Sequence, residues 1–355
     1  MARFSGETGV KAAVLLIAAL LLFAPFLFQD TRALEVAARI CVFIVLVASY
    51  DLLIGYTGIV SFAHTMFFGF GAYGAAIAFR EIGPTWGALT LGALAGVALS
   101  LAVGVAIGLL SLRVKAIFFA MVTLAAASVA MVLASQLSAF TGGEDGITYR
   151  TPDLFKTATK LVTDADGKVA ELWGVKLNGK LAAYYFVFTA ALALFVVLLR
   201  LVASPLGTVL KAIRENEARA EAIGYRVVAY RTFVFCIAAV MASLAGTVYA
   251  VWLKYTGPDT TLSFAIMIDI LLMVVIGGMG TMWGAVIGAV LLVLSQYYLR
   301  DLMGLAAEAT AGLPLLPQLL APDRWLFWLG IIFILLVHFF PRGIAGTVLA
   351  KGARR

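Results

Sequence analysis

Apolar residues in this chain come in blocks separated by short polar stretches, and the blocks are close to the roughly 20 residues an α-helix needs to cross a bilayer. The blocks fall at about 11–28, 33–54, 57–79, 85–111, 114–139, 183–203, 231–253, 264–278, 281–299 and 325–341. They predict an all-α polytopic membrane protein of about ten transmembrane helices, a single transmembrane domain over 1–355. The block at 57–79 is rich in glycine and reads either as a span or as a broken, re-entrant helix. The block at 264–278 is short. The first block follows Arg3 and Lys11, and no small-x-small cleavage site follows it in Gln29-Asp30-Thr31-Arg32, so it reads as an uncleaved first span.

Two of the longer interruptions carry a readable pattern. One is about 140–182, where Asp164-Ala165-Asp166-Gly167-Lys168 reads as a turn between short strands at Lys160–Thr163 and Val169–Val175, a small β-hairpin insertion. The other is about 204–230. There Ser204 suits a helix cap, Pro205 the first helical position and Gly224 the stop. Leu206, Val209, Leu210 and Ile213 share one face of that helix. Arg214, Glu215, Asn216, Glu217, Arg219 and Glu221 follow, with Asn216 placed to start a second short helix through Ala222. Ala218, Ala220 and Ala222 keep that second helix slim. The first half fits an amphipathic helix on a membrane surface. The second half does not, because its charges are mixed and its side chains small, and it reads as a docking element for a cytoplasmic partner.

Composition adds little to the fold but excludes much. At 63% hydrophobic and 13% charged the chain is far from a soluble domain. The net charge of +7 does not imply nucleic acid, because the basic residues cluster at span ends. With the N-terminus inside, fourteen basic residues fall in the inner short segments and five in the outer ones, so both termini and the 204–230 segment are expected in the cytoplasm and the insertion outside. Cys41 and Cys236 lie in apolar blocks with no C-x-x-C spacing, so neither a disulfide framework nor a metal site is expected.

Glycines mark close helix packing. Gly92, Gly96, Ser100, Gly104 and Gly108 form one smooth stripe, and Gly280, Gly284 and Gly288 repeat the device. The stripe fits packing within the chain, with a second subunit as the alternative. Gly277-Gly278-Met279-Gly280 joins two blocks by a turn that wants positive φ. Polar groups inside the blocks are few. Arg39 and Asp51 lie too far apart on one helix to pair, and His338 reads as interfacial. Ser61, His64 and Asp269 are the candidates for a transport pathway, each also explained by interhelical hydrogen bonding.

Six ordered segments carry a resemblance. Gly55-Tyr-Thr-Gly-Ile-Val-Ser-Phe-Ala-His-Thr-Met-Phe-Phe-Gly-Phe-Gly-Ala-Tyr73, Arg113–Leu124, Thr141-Gly-Gly-Glu-Asp-Gly-Ile147, Ser204–Gly224, Met273–Thr281 and Phe340-Pro-Arg-Gly343 are similar to the motifs of branched-chain amino-acid (LIV-type) permease subunits of ATP-binding-cassette importers. The resemblance spans roughly 35–345. It departs from the family at Ala63, where many relatives carry glycine, and in the length of the insertion.

The resemblance implies a division of labour. A soluble binding protein captures substrate outside the cell, and this permease pairs with a second, shorter permease paralogue. Two cytoplasmic ATPases dock on the coupling loops of the two permeases, in this chain the 204–230 loop with Arg214, Glu215, Asn216, Glu217, Ala218, Ala220, Glu221 and Gly224. The location implied is a bacterial inner membrane. The chain has no G-x-x-x-x-G-K-[ST] loop, so ATP hydrolysis and its cofactors belong to the partners. A urea or short-amide permease shares most of these motifs and stays open as an alternative. A stand-alone secondary transporter would need ionisable relays deep in several blocks, and an intramembrane enzyme would need a catalytic constellation. Neither pattern is present.

Overall fold

The computed structural model describes residues 2–28, 30–111, 116–162, 169–172, 175–310 and 316–354. Arg113, Lys115 and the expected turn at Asp164–Lys168 lie outside the described residues. In chain order the helices begin with α1 (Ala2–Leu27), α2 (Thr31–Ile54), α3 (His64–Ile82), α4 (Trp86–Ser111), α5 (Ala116–Gln136) and the single turn α6 (Ser138–Thr141). After the insertion come α7 (Gly179–Ala203), α8 (Pro205–Glu215), α9 (Glu217–Ala222) and α10 (Val227–Leu253). The single turn α11 (Pro258–Thr261) leads into α12 (Phe264–Gly277). The remaining helices are α13 (Met282–Ala309), α14 (Leu316–Leu319), α15 (Trp325–Phe339) and α16 (Gly343–Arg354). Four two-residue strands are β1 (Ile147–Thr148), β2 (Glu171–Leu172), β3 (Val175–Lys176) and β4 (Tyr255–Thr256).

The protein is an all-α, multi-pass membrane protein: among the described residues, nine helices are long and apolar enough to cross. They coincide with nine of the ten apolar blocks. The exception is 57–79. There the chain is irregular after α2 and helical only from His64. Irregular backbone is tolerated at membrane depth only where protein covers it, and Gly55, Tyr56, Thr57, Ile59, Ser61 and Ala63 are all buried.

Contacts divide the chain into two units, 19–270, and 1–18 with 271–355. Within 19–270, α2 and α10 are buried along most of their length, and α3 packs between α4 and α10. Glycine makes this approach possible. Gly71 lies against the Ser243 backbone and Gly246 against the Phe68 backbone. A Cβ on Gly92 would stand 2.5 Å from Gly74 O, and one on Gly96 would stand 2.7 Å from Phe70 O. Gly104 faces Ala239 and Cys236, and Gly108 faces Thr232. The α4 stripe is therefore spent on α3 and α10 of the same chain.

The Thr141–Ile147 motif fastens the chain after α5 to the far end of α10. Gly142, Gly143 and Gly146 have φ of 74°, 67° and 67°. This sharp path brings β1 against β4, with Ile147 opposite Thr256. A Cβ on Gly146 would stand 2.5 Å from Thr256 O. Tyr149 then donates to Ala250 O at 2.9 Å, lies 3.0 Å from Thr256 Oγ1 and stacks on Phe79.

In the insertion a hairpin forms, but its register differs from the sequence expectation. β2 pairs with β3, Glu171 opposite Lys176 and Leu172 opposite Val175, so β2 and the start of β3 both fall within the expected second strand. The expected first strand instead flanks this pair: Leu161 N donates to Leu177 O and Ala170 N to Val162 O.

In the unit holding 271–355, Gly278 and Gly280 have φ of 115° and 80° and turn the chain between α12 and α13. Gly280 thus lies ahead of α13 and is not part of a helical stripe. The smooth face is made by Gly284, which meets Gly277, and Gly288, which meets Met273. Gly343 of the Phe-Pro-Arg-Gly motif packs directly on Gly278, so two motifs far apart in sequence form one close contact.

Candidate functional site

The 204–230 segment folds as a bent helix pair. Pro205 opens α8 with its φ already set and no N–H to leave unpaired. Ser204 does not cap through its side chain. Its Oγ donates backward to Leu201 O at 2.6 Å, which ends α7 instead. Asn216, in extended conformation, breaks α8 and starts α9, its Oδ1 accepting from Arg219 N at 2.9 Å. Such a cap contributes about 1 kcal/mol. Gly224, at φ 98°, then turns the chain into α10.

The apolar face of α8 meets protein, not a bilayer surface. Leu210 and Ile213 are fully buried, and Ile213 forms a cluster with Ala220 of α9 and Val227 of α10, flanked by Val209, Tyr225 and Tyr230. Arg231 Nη1 of α10 pairs with Glu217 Oε1 at 2.8 Å. That pair is half exposed and contributes little to stability, but it orients α9.

The structure thus sorts the docking candidates. Arg214 donates to Gly55 O, Glu217 is held by Arg231, and Ala220 is buried. Arg214 and Glu217 stay exposed while making these bonds, and Glu215, Asn216, Ala218, Glu221 and Gly224 are exposed as well. Beside them Ile223 leaves 67% of its surface exposed, at the tip where α9 ends. Ile223 was not a sequence candidate, because an isoleucine just past the end of α9 is as readily buried as exposed and only its neighbours decide which.

The second part of the site is the break between α2 and α3. Its hydrogen bonds run largely through side chains. Thr57 Oγ1 donates to Leu53 O at 2.6 Å, and Ala63 N donates to Ser61 Oγ at 3.2 Å. Phe62 N donates to Thr123 Oγ1 of α5 at 3.0 Å. His64 Nε2 lies 2.8 Å from Ser49 Oγ of α2, and the His64 ring meets Tyr50 edge-on. Ser61 and His64 are therefore brought together, fully buried, as the groups that close the break. Asp269 sits apart from them on α12, half buried. Arg39 lies over the Phe43 ring at 5.1 Å, and Asp51 is buried. Among the described residues no group of His, Cys, Asp or Glu could hold a metal ion.

Residues 32–337 match the family model for the branched-chain amino acid transport system permease component. The high-affinity branched-chain amino acid transport system permease protein LivM of Salmonella typhimurium is 29% identical over 323 residues, covering 88% of this chain and 75% of the relative. Its Escherichia coli counterpart is 28% identical with the same coverage. A probable branched-chain amino acid transport permease protein LivM of Methanocaldococcus jannaschii is 26% identical over 179 residues, 47% of this chain and 48% of that one. No solved structure matches.

Proposed function

The chain belongs to the branched-chain amino acid transport permease-component family, and from that premise we propose that it forms half of an importer pathway driven by ATP-hydrolysing subunits docked on α8 and α9. A second permease paralogue supplies the other half, and a binding protein outside the cell delivers the cargo. The substrates are leucine, isoleucine or valine, in keeping with the names of the relatives. With α3 crossing as the tenth helix, the bias of basic residues supports a cytoplasmic position for α8, α9 and both termini in an inner membrane.

One observation carries the docking assignment. The end of α9 projects an exposed apolar side chain, Ile223, on a helix pair whose polar residues Glu215, Arg219 and Glu221 are also exposed. An apolar centre inside a polar rim is the anatomy of a protein interface. Its base is fixed by the Ile213–Ala220–Val227 cluster. Closing of the ATPases would displace this tip, and α7 and α10, continuous with the helix pair, would tilt between two states of the bundle.

The test is co-purification of the ATPase subunits together with leucine uptake by the reconstituted complex. Ile223→Asp and Glu221→Lys are expected to lose the ATPases and uptake while the permease still inserts. Retention of both activities by both variants would remove the docking assignment.

A further inference from the structure

The inner face of α8 grips the break between α2 and α3. Arg214 Nη1 donates to Gly55 O, the carbonyl at the residue that ends α2. One turn earlier Lys211 Nζ stands 5.3 Å over the ring of Tyr56. Gly58, at φ 74°, turns the chain so closely beneath Arg214 that a Cβ there would stand 3.5 Å from Arg214 Cγ. Residues three apart share one face of a helix, so Lys211 and Arg214 form a two-point hold on residues 55–58.

What they hold is the last turn of α2, where Gly55 N and Thr57 N still donate to Asp51 O and Leu53 O, at the point where helical bonding stops before α3. A regular helix resists bending because each backbone bond supports the next. Beyond Thr57 that ladder is missing: Phe62 N and Ala63 N go to the side chains of Thr123 and Ser61, and side-chain bonds of this kind can be exchanged without unwinding a helix. Three residues beyond Ser61, His64 starts α3, the helix packed most closely on α4 and α10. A pull on Gly55 therefore acts at the joint where α3 is free to change its angle to α2. Gly55, Tyr56 and Thr57 are buried and Gly58 is exposed, so the joint lies at the edge of the bundle, where α8 reaches it through two long side chains.

We propose that Arg214 and Lys211 are positioning residues that pass the displacement of α8 and α9 to the α2–α3 break, a route into the bundle separate from the covalent links to α7 and α10. This rests on the docking assignment above. Arg214 then serves the interior of the permease and does not belong to the surface that holds the ATPases. The function of the link is to make transport obligatory on ATP hydrolysis.

The measurement is leucine moved per ATP hydrolysed, in liposomes holding the complete transporter. Arg214→Ala is expected to keep its ATPase subunits and hydrolyse ATP, with the ratio falling about tenfold or more, the scale of losing one charged hydrogen bond in one state of a two-state bundle. Arg214→Lys should recover part of the ratio, because an ammonium still offers a donor to Gly55 O. An unchanged ratio in Arg214→Ala overturns the proposal, and so does loss of the ATPases from that variant. Should Arg214→Ala fail to insert, Lys211→Ala removes only an exposed cation over Tyr56. A lowered ratio there supports the link, and an unchanged one overturns it. Ile223→Asp separates the two assignments. If it keeps its ATPases, the docking assignment falls and this one with it; if it loses them while Arg214→Ala transports normally, only the link falls.

Discussion

Four glycines on α4 look alike in sequence, yet alanine at each should give different results. At Gly92 the new Cβ would stand 2.5 Å from Gly74 O and 2.8 Å from Ala75 Cα, where ordinary contact begins at 3.4 Å. Both neighbours are backbone, so no rotamer change relieves the overlap, and α3 and α4 must part by about 0.9 Å along that line in an interior packed like a crystal. Overpacking costs about 1–3 kcal/mol, and the absence of a side-chain escape puts this site near the upper end. Alanine returns about 1 kcal/mol of helix propensity. The net loss is about 2 kcal/mol, roughly a thirtyfold shift in the folded ratio. Gly96→Ala should match it, with Phe70 O at 2.7 Å and Gly71 Cα at 2.8 Å. At Gly104 the nearest atoms are 3.6 to 3.9 Å away, so only the propensity gain of about 0.5–1 kcal/mol remains. Gly108→Ala meets Thr232 Cγ2 at 2.7 Å, a methyl group able to give way, and should fall between. The assay is the apparent unfolding temperature of the purified permease in detergent, with leucine uptake in parallel. Equal shifts for Gly92→Ala and Gly104→Ala would refute the packing argument.

Gly224→Ala isolates backbone strain, since nothing lies within 4 Å but φ is 98°. It should cost about 1–2 kcal/mol locally and weaken ATPase co-purification without reducing insertion, whereas Gly330→Ala, also without neighbours but inside α15 at ordinary φ, should gain about 0.5–1 kcal/mol of helix propensity and leave co-purification unchanged. Burial, opposed by a smaller hydrogen bond from Thr256, pushes the Tyr149 hydroxyl above the ordinary phenol range. The folded state therefore holds this proton more tightly than the unfolded one. Its contribution is complete below about pH 10 and is lost as pH rises through the folded value. Proteolysis of the insertion should accelerate above that pH in the parent, while Tyr149→Phe should be faster throughout, by a bond of about 1 kcal/mol, and lose the pH dependence.

Some of this protein follows from one-dimensional rules. Block length against bilayer thickness marks nine of the helices, because a span must satisfy its backbone internally wherever it sits. Asn216 and Gly224 mark the bend and end of the helix pair because capping and positive φ are local demands. The turn at Gly278 and Gly280 is legible for the same reason. Other features are set by partners distant in sequence. The β1–β4 pair joins segments too short to show a strand pattern. The hydrogen bonds that Ser61 and His64 make with Ala63 and Ser49 are likewise not written in the sequence pattern.

The sequence by itself determined a multi-pass helical permease with a bent helix pair held outside the bilayer, since hydropathy, caps and glycine act within a turn or a span. Only the tertiary structure decided which way each side chain of that pair faces. Arg214 and Lys211 turn toward Gly55 and Tyr56, Ala220 is buried, and Ile223 is left at the tip. It also decided which glycines of one stripe bear a backbone contact. Both depend on what another helix brings to within a few ångströms, and no spacing along α8 or α4 carries that information.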